Sequence, residues 1–282
     1  MQDKVIISAA LTGGATPWEK NNNIPVTPQE IADCAYSCWK SGAAIVHLHM
    51  RDQQKKGSID AKLFAETIRL IREHENCDVI INCSSSGEQG ASGERRLEHF
   101  RKVDGIEIAS YDIDSFNWGM GGIFSNPGPW LKELADVLEA RNIKPEVEIF
   151  DEGMLYLCHS YLSRGILKGP IWCQLVLGVL GGMEATVENL IFLVNKLPEG
   201  TIWSATGIGQ GHLPILYAAL ALGGHLRVGL EDNLYYGPGE KATNVQLVER
   251  AVRIVLQCGK APATPAQARE ILGLPMLERR QK

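Results

Sequence analysis

Short apolar segments alternate with longer amphipathic segments along the whole chain, and this alternation constrains the fold more than any other feature. Eight apolar segments have the length of a β-strand, and they lie at residues 5–10, 44–49, 79–83, 106–109, 146–150, 172–177, 201–205 and 225–230. Helical patterns follow them at residues 28–41, 61–73, 93–102, 129–141, 154–164, 185–196, 213–222 and 242–258. Strands that alternate with helices form parallel sheets, and eight such units close into a barrel. The sequence therefore predicts an α/β fold, a (β/α)8 TIM barrel.

The length of the chain predicts one domain. The 282 residues are 45% hydrophobic and 22% charged, and α/β barrels of this length commonly form a single domain. We therefore predict a single TIM-barrel domain over residues 1–282. A tail from about residue 261 carries one more helical pattern at residues 266–272. This last helix is expected to pack outside the barrel or on a neighbouring subunit.

Composition argues against several classes of partner. The formal net charge is −5 and the basic residues are dispersed, so we expect no nucleic-acid partner and no membrane partner. No apolar run approaches the length of a membrane span, and the first residues lack the pattern of a signal peptide. The seven cysteines form no Cys-x-x-Cys pair, which is typical of reduced thiols. These features predict a cytoplasmic protein.

Two histidines at the end of the second strand predict a metal site. His47 and His49 are separated by one residue, so on a strand they share a face, with Cα atoms roughly 7 Å apart. A histidine pair of this kind also occurs as packed core residues, and a third ligand is needed to favour metal binding. The eighth apolar segment ends at Glu231 and Asp232, and Glu231 is the best candidate for that ligand.

Further polar residues end other strands, where the active site of a barrel lies. Ser84 and Ser110 follow the third and fourth segments, although a serine there is often only a helix cap. Glu148 lies between two apolar residues, where a buried carboxylate is costly unless it is used. Arg227 shares a face with Glu231 if the eighth strand is regular, whereas Asp232 faces away unless the chain bends.

A glycine-rich segment after the seventh strand has two interpretations. Residues 206–211 read Thr-Gly-Ile-Gly-Gln-Gly, and their backbone N–H groups could bind a phosphate or carboxylate. A tight turn that requires positive φ explains the glycines equally well.

Several of these motifs together resemble the β-keto acid cleavage enzymes. The matching segments are residues 9–13 (Ala-Ala-Leu-Thr-Gly), 46–52 (Val-His-Leu-His-Met-Arg-Asp), 145–148 (Pro-Glu-Val-Glu), 177–183 (Leu-Gly-Val-Leu-Gly-Gly-Met), 224–233 (Gly-His-Leu-Arg-Val-Gly-Leu-Glu-Asp-Asn) and 263–272. The resemblance covers nearly the whole chain. It implies a zinc-dependent TIM barrel, a homo-oligomer and by analogy a homotetramer, which converts a β-keto acid and acetyl-CoA into acetoacetate and a new acyl-CoA.

The same resemblance implies a role for each candidate residue. The zinc ligands are His47, His49 and Glu231. The catalytic and substrate-binding positions are Glu148, Arg227, Asp232, Ser84 and Ser110. One position departs from the family, because Ala15 stands where members that cleave an amino-bearing substrate have a glutamate. Ala15 and Trp18 are expected to line the pocket for the tail of the keto acid and to favour a substrate without an ammonium group. A quaternary cation over the Trp18 ring remains an alternative.

Chemistry of this kind needs a base near the metal. We expect Asp232 or Glu148 to remove a proton from the carbon between the two carbonyls, and Arg227 to orient the acidic partner. The sequence does not decide between the two acids.

Four other functions stay open at this point. A metal-dependent aldolase or lyase would work without acetyl-CoA, and a barrel hydrolase also carries His-x-His, but typically on its first strand. Two histidines and a carboxylate can hold Fe(II) for oxygen chemistry. The fourth function is that of a non-catalytic barrel that binds a small acid. The clustering of ionisable groups argues against this fourth function.

Overall fold

In the computed structural model, which describes residues 3–277, eight parallel strands close into a barrel in the order of the sequence. The strands are β1 (Ile7–Ala10), β2 (Ile45–Leu48), β3 (Ile80–Cys83), β4 (Ile108–Asp112), β5 (Lys144–Ile149), β6 (Trp172–Leu177), β7 (Ile202–Gly207) and β8 (His225–Val228). β8 pairs with β1, with Leu226 opposite Ile7, and this pairing closes the cylinder. The predicted TIM barrel is confirmed.

Helices follow the strands and pack around the barrel. They are α1 (Pro28–Lys40), α2 (Ala61–Glu73), α3 (Gly93–Lys102), α4 (Gly128–Ala140), α5 (Glu152–Ser163), α6 (Val187–Val194), α7 (His212–Ala221), α8 (Asn244–Gln257) and α9 (Pro265–Leu272). Their starts follow from local sequence. Thr27 and Glu30 form a capping box at the start of α1, with Pro28 in the first turn. Asp60 caps α2, which begins at Ala61, as the sequence pattern predicts.

Two strands extend beyond the apolar segments that predicted them. β4 begins two residues later than predicted and continues through Ser110 to Asp112, and β7 continues through Thr206 to Gly207. Ser110 and Asp112 share the inward face of Ile108, which belongs to the apolar cluster inside the barrel. Polar side chains thus replace apolar ones near the carboxyl end. In these two strands, apolar patterning therefore underestimates how far the strand continues at the end that carries the site.

The apolar core has two parts with different positions. The larger part lies between the barrel and the surrounding helices and includes outward-facing residues such as Val46, Ile81 and Val147. The smaller part lies inside the barrel at its amino-terminal end and includes Ile45 and Trp172. Because one end of the barrel is filled with apolar side chains, the inward-facing polar residues are concentrated at the other end.

Helix α9 lies across the amino-terminal end of the barrel, which corrects the prediction that it packs outside the barrel or on a neighbouring subunit. Ala268 and Leu272 join the apolar cluster inside that end. Arg269 is fully buried and donates to both oxygens of Glu107, at 2.7 and 3.0 Å. Arg72 also donates to Glu107, at 3.0 Å. The sequence pattern identified the helix, but its partner surface is formed only when the strands close.

Two further observations concern the predicted environment. Within residues 3–277, no helix has both the length and the apolar character needed to cross a bilayer. All seven cysteines are free thiols.

We expect the buried ion pair of α9 to stabilise the barrel. Arg269→Met keeps much of the side-chain volume but leaves Glu107 with one cationic partner, so the free energy of unfolding should fall by about 3 kcal/mol in urea titrations. Arg164 is exposed on the protein surface, and Arg164→Met is a matched control that should change stability by less than about 0.5 kcal/mol. Equal stability of the two variants would contradict this role of α9.

Candidate active site

The three predicted metal ligands converge at the carboxyl end of the barrel. His47 lies in β2, His49 directly follows it, and Glu231 follows β8. Oε1 of Glu231 lies 3.7 Å from Nε2 of His47 and 3.5 Å from Nε2 of His49. The two imidazole rings are 5.2 Å apart between centroids and stand edge to face. The structure thus brings together residues that are more than 180 positions apart in the chain.

A bend after β8 brings Glu231 and Asp232 to the same site. Gly229 has a φ of +144°, and a Cβ there would lie 2.0 Å from the carbonyl oxygen of Ala10, so only glycine fits. The backbone N–H groups of Asp232 and Asn233 then donate to the Gly229 carbonyl at 3.2 and 2.9 Å. The predicted strand end at residue 230 is therefore wrong. The bend places both carboxylates beside Arg227, whereas a regular strand would have separated them.

Arg227 is the centre of the charged network. Its side chain is 3% exposed, and it contacts three carboxylates. Nη1 donates to Glu148 at 2.9 Å, and Nη2 donates to Glu231 at 2.7 Å. Nε and Nη2 each donate to Asp232 at 3.1 Å. One guanidinium thus faces three carboxyl groups. The excess of acidic groups over basic groups favours the binding of an additional cation at this site.

Burial controls the protonation of this site. It lowers the pKa of His47 to about 3, against the opposing effect of the Glu231 charge, so the imidazole is neutral at physiological pH. Burial also raises the pKa of Glu148 well above its usual range, and the nearby Asp112 carboxylate adds to this effect. The pKa of Asp232 is raised by burial, while the Arg227 charge acts to lower it. The three groups therefore differ in how readily they hold a proton.

The donor set fits a catalytic divalent metal ion. His47, His49 and Glu231 each offer one ligand atom, and these atoms lie within 4.8 Å of one another. The ligand atoms of a tetrahedral zinc ion are about 3.3 Å apart for bonds near 2.0 Å, close to the spacing observed here. The second oxygen of Glu231, Oε2, is buried without a hydrogen-bond partner among the described residues. Two nitrogen ligands and one oxygen ligand leave further coordination positions open, as in catalytic zinc sites.

Ser84 and Ser110 are buried near the carboxyl ends of neighbouring strands. The Ser84 hydroxyl accepts a hydrogen bond from the backbone N–H of Ser86 at 3.1 Å. The Ser110 hydroxyl accepts from the backbone N–H of Ser85 at 3.0 Å. Neither residue caps a helix, since Ser92 caps α3. The Ser84 hydroxyl also lies 3.3 Å from the Ser86 hydroxyl, and the Ser110 hydroxyl lies 3.3 Å from the Ser85 hydroxyl, with either atom of each pair able to donate. Substrate binding by Ser84 and Ser110 stays a prediction.

The loop after β1 packs directly on His49, one of the three candidate metal ligands. A Cβ at Gly14 would lie 3.1 Å from Nδ1 of His49, so the backbone of this loop contacts the imidazole. Arg51 holds the loop in place, because its Nη2 donates to the carbonyl oxygens of Gly13 at 2.7 Å and Thr16 at 2.6 Å. Ala15 is exposed at the tip of this segment.

Trp18 lies further along the same loop and is partly buried. The ammonium group of Lys55 lies 3.1 Å from the centroid of its ring. This ring face is therefore already in contact with a cation of the chain itself.

The glycine-rich segment after β7 forms a turn. Gly209 has a φ of +68°, and its N–H donates to Oδ1 of Asn233 at 2.8 Å. Asn233 also donates to the Gly207 carbonyl at 2.9 Å. The tight-turn interpretation accounts for Gly209, and anion binding by this segment stays a prediction.

Several residues that line the inside of the barrel were not identified from the sequence. Asn82 and Glu146 face the interior below the site, Asp112 lies near Glu148, and Thr206 donates to Asp232 at 3.3 Å. The two-residue period of a strand could have identified Glu146, which shares a face with Glu148. Asp112 and Thr206 were missed because the predicted strands ended too early.

Comparisons with known proteins agree with the barrel fold. A solved structure titled "Apo structure of ObcA" superposes with a TM-score of 0.81, covering 89% of this chain and 65% of that chain. At 23% sequence identity, this likeness concerns the fold.

Two curated relatives match along almost their whole length. The 3-keto-5-aminohexanoate cleavage enzyme of Fusobacterium nucleatum subsp. nucleatum is 38% identical over 276 residues, or 97% of this chain and 99% of that protein. The 3-dehydrocarnitine:acetyl-CoA trimethylamine transferase of Rhizobium meliloti is 32% identical over 295 residues, or 97% of this chain and 98% of that protein.

The match to a family model covers the barrel, the site and most of the C-terminal tail. The model is that of the beta-keto acid cleavage enzyme, and it matches residues 4–274. This range includes every residue of the site, from the loop after β1 to the bend after β8. By this match and by its identity to the curated relatives, the chain belongs to the β-keto acid cleavage enzyme family.

Proposed function

We propose that this protein is a zinc-dependent, single-domain enzyme that exchanges acyl groups between a β-keto acid and acetyl-CoA, giving acetoacetate and a new acyl-CoA. The observation that carries the proposal is the convergence of His47, His49 and Glu231 beside the buried Arg227 network. Family membership supports it, and so does the name of the Rhizobium meliloti relative, a 3-dehydrocarnitine:acetyl-CoA trimethylamine transferase.

His47, His49 and Glu231 would hold the metal ion. A bound zinc ion would supply a Lewis acid that stabilises negative charge on the keto oxygen of the substrate. Ser84 and Ser110 would each donate a hydrogen bond to the substrate carboxylate by turning the hydroxyl away from the neighbouring serine hydroxyl, which lies 3.3 Å away. Arg227 is held rigidly by its carboxylate partners and orients the acidic groups around the reacting carbon.

We infer that Asp232, rather than Glu148, is the base. Asp232 accepts two hydrogen bonds from Arg227 and one from Thr206, and these bonds favour its ionised form. Glu148 accepts only one bond from Arg227. Burial and the nearby charge of Asp112 raise the pKa of Glu148 and favour its protonated form. Glu148 would then donate a hydrogen bond, while Asp232 accepts the proton of the substrate.

The proposed steps conserve atoms and charge. Asp232 removes a proton from the carbon between the keto group and the carboxylate, and the resulting carbanion attacks the carbonyl carbon of acetyl-CoA. CoA thiolate leaves and then attacks the original keto carbon. The bond between that carbon and the former carbanion carbon breaks, which releases the new acyl-CoA. Asp232 returns its proton to the remaining carbon, and acetoacetate is formed.

The tail of the keto acid would lie near the loop after β1. Ala15 offers no charge to an ammonium group, and the ring of Trp18 already contacts Lys55. A cationic tail would meet the Lys55 ammonium instead of an anion. We therefore propose that the substrate is a β-keto acid with a neutral or anionic tail.

We further propose a cytoplasmic homotetramer. All seven thiols are free, which suits a reducing compartment, and the proposed co-substrate acetyl-CoA is an intracellular metabolite. Exposed apolar side chains on α6 and α7, such as Ile191, Phe192 and Tyr217, offer contact area for other subunits. Light scattering should give a particle of four times the 30.9 kDa of one chain, and a monomer would contradict the proposal.

The substrate class can be tested with a panel of β-keto acids that differ in the charge of their tails. With acetyl-CoA present, kcat/KM should be at least tenfold higher for neutral and anionic tails than for 3-keto-5-aminohexanoate, because no carboxylate replaces the missing glutamate at Ala15. Acyl-CoA formation is followed by chromatography. Ala15→Glu should raise kcat/KM for the amino-bearing acid and lower it for the anionic ones. Cleavage that proceeds equally well without acetyl-CoA would instead support an aldolase or lyase.

Removal of the metal should abolish turnover without unfolding the barrel. After treatment with a chelator, activity should fall at least 100-fold and return when one equivalent of zinc per chain is added. His49→Ala should prevent this recovery. If full activity persists in protein that elemental analysis shows to be metal-free, the proposed electrophile is wrong.

The choice of base can be tested by proton exchange. In D2O without acetyl-CoA, Asp232→Asn should slow enzyme-catalysed loss of the proton between the two carbonyls by 100-fold or more, after subtraction of the spontaneous rate. Glu148→Gln is isosteric and should slow it by about tenfold or less, because it keeps a hydrogen-bond donor. The reverse order, followed by NMR of the substrate, would assign the base to Glu148.

A further inference from the structure

Three buried side chains form a hydrogen-bonded chain inside the barrel, beneath the candidate metal site. Nε1 of Trp172 donates to Oε1 of Glu146 at 2.7 Å, and Nδ2 of Asn82 donates to Oε2 of Glu146 at 2.6 Å. These side chains come from β6, β5 and β3, and each is at most 1% exposed. None of them is used by the proposed reaction.

The chemistry of these groups fixes the direction of the hydrogen bonds that link Trp172, Glu146 and Asn82. An indole N–H can only donate, and the Glu146 carboxyl accepts on both of its oxygens, from Trp172 and from Asn82. Because the amide NH2 group of Asn82 donates to Glu146, the carbonyl oxygen Oδ1 of Asn82 must point away from Glu146. That oxygen is buried and has no hydrogen-bond partner among the described residues.

The neighbour of Asn82 in the barrel is a candidate metal ligand. In the pairing of β2 with β3, His47 lies directly opposite Asn82. Nδ1 of His47 is also buried without a partner among the described residues, and it lies 4.0 Å from Oε2 of Glu146. The other ring nitrogen, Nε2, faces Glu231 at 3.7 Å. One edge of the imidazole therefore faces the buried chain, and the opposite edge faces the metal site.

We propose that Trp172, Glu146 and Asn82 are positioning residues that keep the proton of His47 on Nδ1, so that Nε2 presents its lone pair to the metal. A neutral imidazole carries one proton, and the group that accepts it decides which nitrogen remains free. Asn82 Oδ1, the unpartnered oxygen on the residue opposite His47, would be that acceptor, and Glu146 fixes the orientation of the Asn82 amide. Residues that orient a metal-binding histidine in this way typically contribute 10–100-fold to metal affinity. The inference rests on the metal site of the proposed function, but not on its substrate.

Glu146→Gln tests the direction of the chain. In this variant, the side-chain carbonyl oxygen at position 146 would accept from Trp172. The side-chain NH2 group at position 146 would then face Asn82. The Asn82 amide must then turn over and direct its own NH2 group toward Nδ1 of His47. His47 would carry its proton on Nε2, which is the nitrogen that the metal needs.

Three other variants complete the set. Asn82→Leu removes the acceptor for His47, whereas Asn82→Asp keeps an acceptor and can share one proton with Glu146. Ser204→Ala is the matched control, because it removes a buried hydrogen bond to Gln174 elsewhere inside the barrel. Thermal unfolding of the metal-free proteins shows which variants are folded.

Zinc affinity, measured by competition with a chelating dye, gives the first result. Glu146→Gln and Asn82→Leu should each weaken zinc binding at least tenfold, while Ser204→Ala stays within twofold and Asn82→Asp within threefold of the wild type. Losses in the first two variants no greater than that of Ser204→Ala would overturn the inference, as would a wild-type protein that binds no zinc.

The tautomer of His47 gives a second result that needs no metal. In metal-free protein labelled with 15N-histidine, the His47 signals are identified by their loss in His47→Gln. They should show the proton on Nδ1 in the wild type and on Nε2 in Glu146→Gln. A wild-type His47 protonated on Nε2 would overturn the inference. Zinc binding with the expected tautomer, but no cleavage of any β-keto acid, would support it while contradicting the proposed function.

Discussion

The arrangement at the carboxyl end of the barrel depends on the burial of one guanidinium among three carboxylates. Glu148, Glu231 and Asp232 come from two different strand ends, and each is held by a direct hydrogen bond to Arg227. Charges at this depth are costly unless they are paired, and carboxylates so close together would repel one another without a cation between them. Arg227 therefore fixes their positions, and the remaining negative charge makes the same place favourable for a divalent ion.

The two ends of the barrel differ in composition, because one end is packed with apolar side chains and the other carries the polar side chains of the candidate site. The amino-terminal end is filled by apolar side chains that include Ile45, Trp172 and residues of helix α9. The carboxyl end carries inward-facing polar side chains on successive strands. Because the apolar end excludes water from below, electrostatic interactions in the site act at low effective dielectric, where they are strongest. The polar network of Asn82, Glu146 and Trp172 lies between the two ends and links the packed core to His47.

In the proposed function, the residues that select the substrate and the residues that carry out the reaction lie in different parts of the molecule. The metal-ligand and charged residues lie in or directly after strands, where the barrel restricts them. The loop after β1 carries Ala15 and Trp18, and it is tied to the site by the contact of Gly14 with His49 and by Arg51. If this loop contacts the tail of the keto acid as proposed, a side chain in it can change without moving the candidate metal ligands, and one barrel can then accept keto acids with different tails.

Much of this protein could be read from its sequence. The eight β/α units predicted the barrel, because apolar periodicity and helix caps are local signals, and α2 and α3 were predicted to the residue. The His-x-His pair, Glu231 and Arg227 were identified because each ends or interrupts an apolar strand. What the sequence left open required distant residues to meet. The place of α9 depends on a surface that exists only in the closed barrel, and Asp232 joins the site only because Gly229 bends the chain against Ala10. The partners of Glu146 were hidden for the same reason: local pattern determines which way a side chain faces, but only the closure of the barrel decides what it meets there.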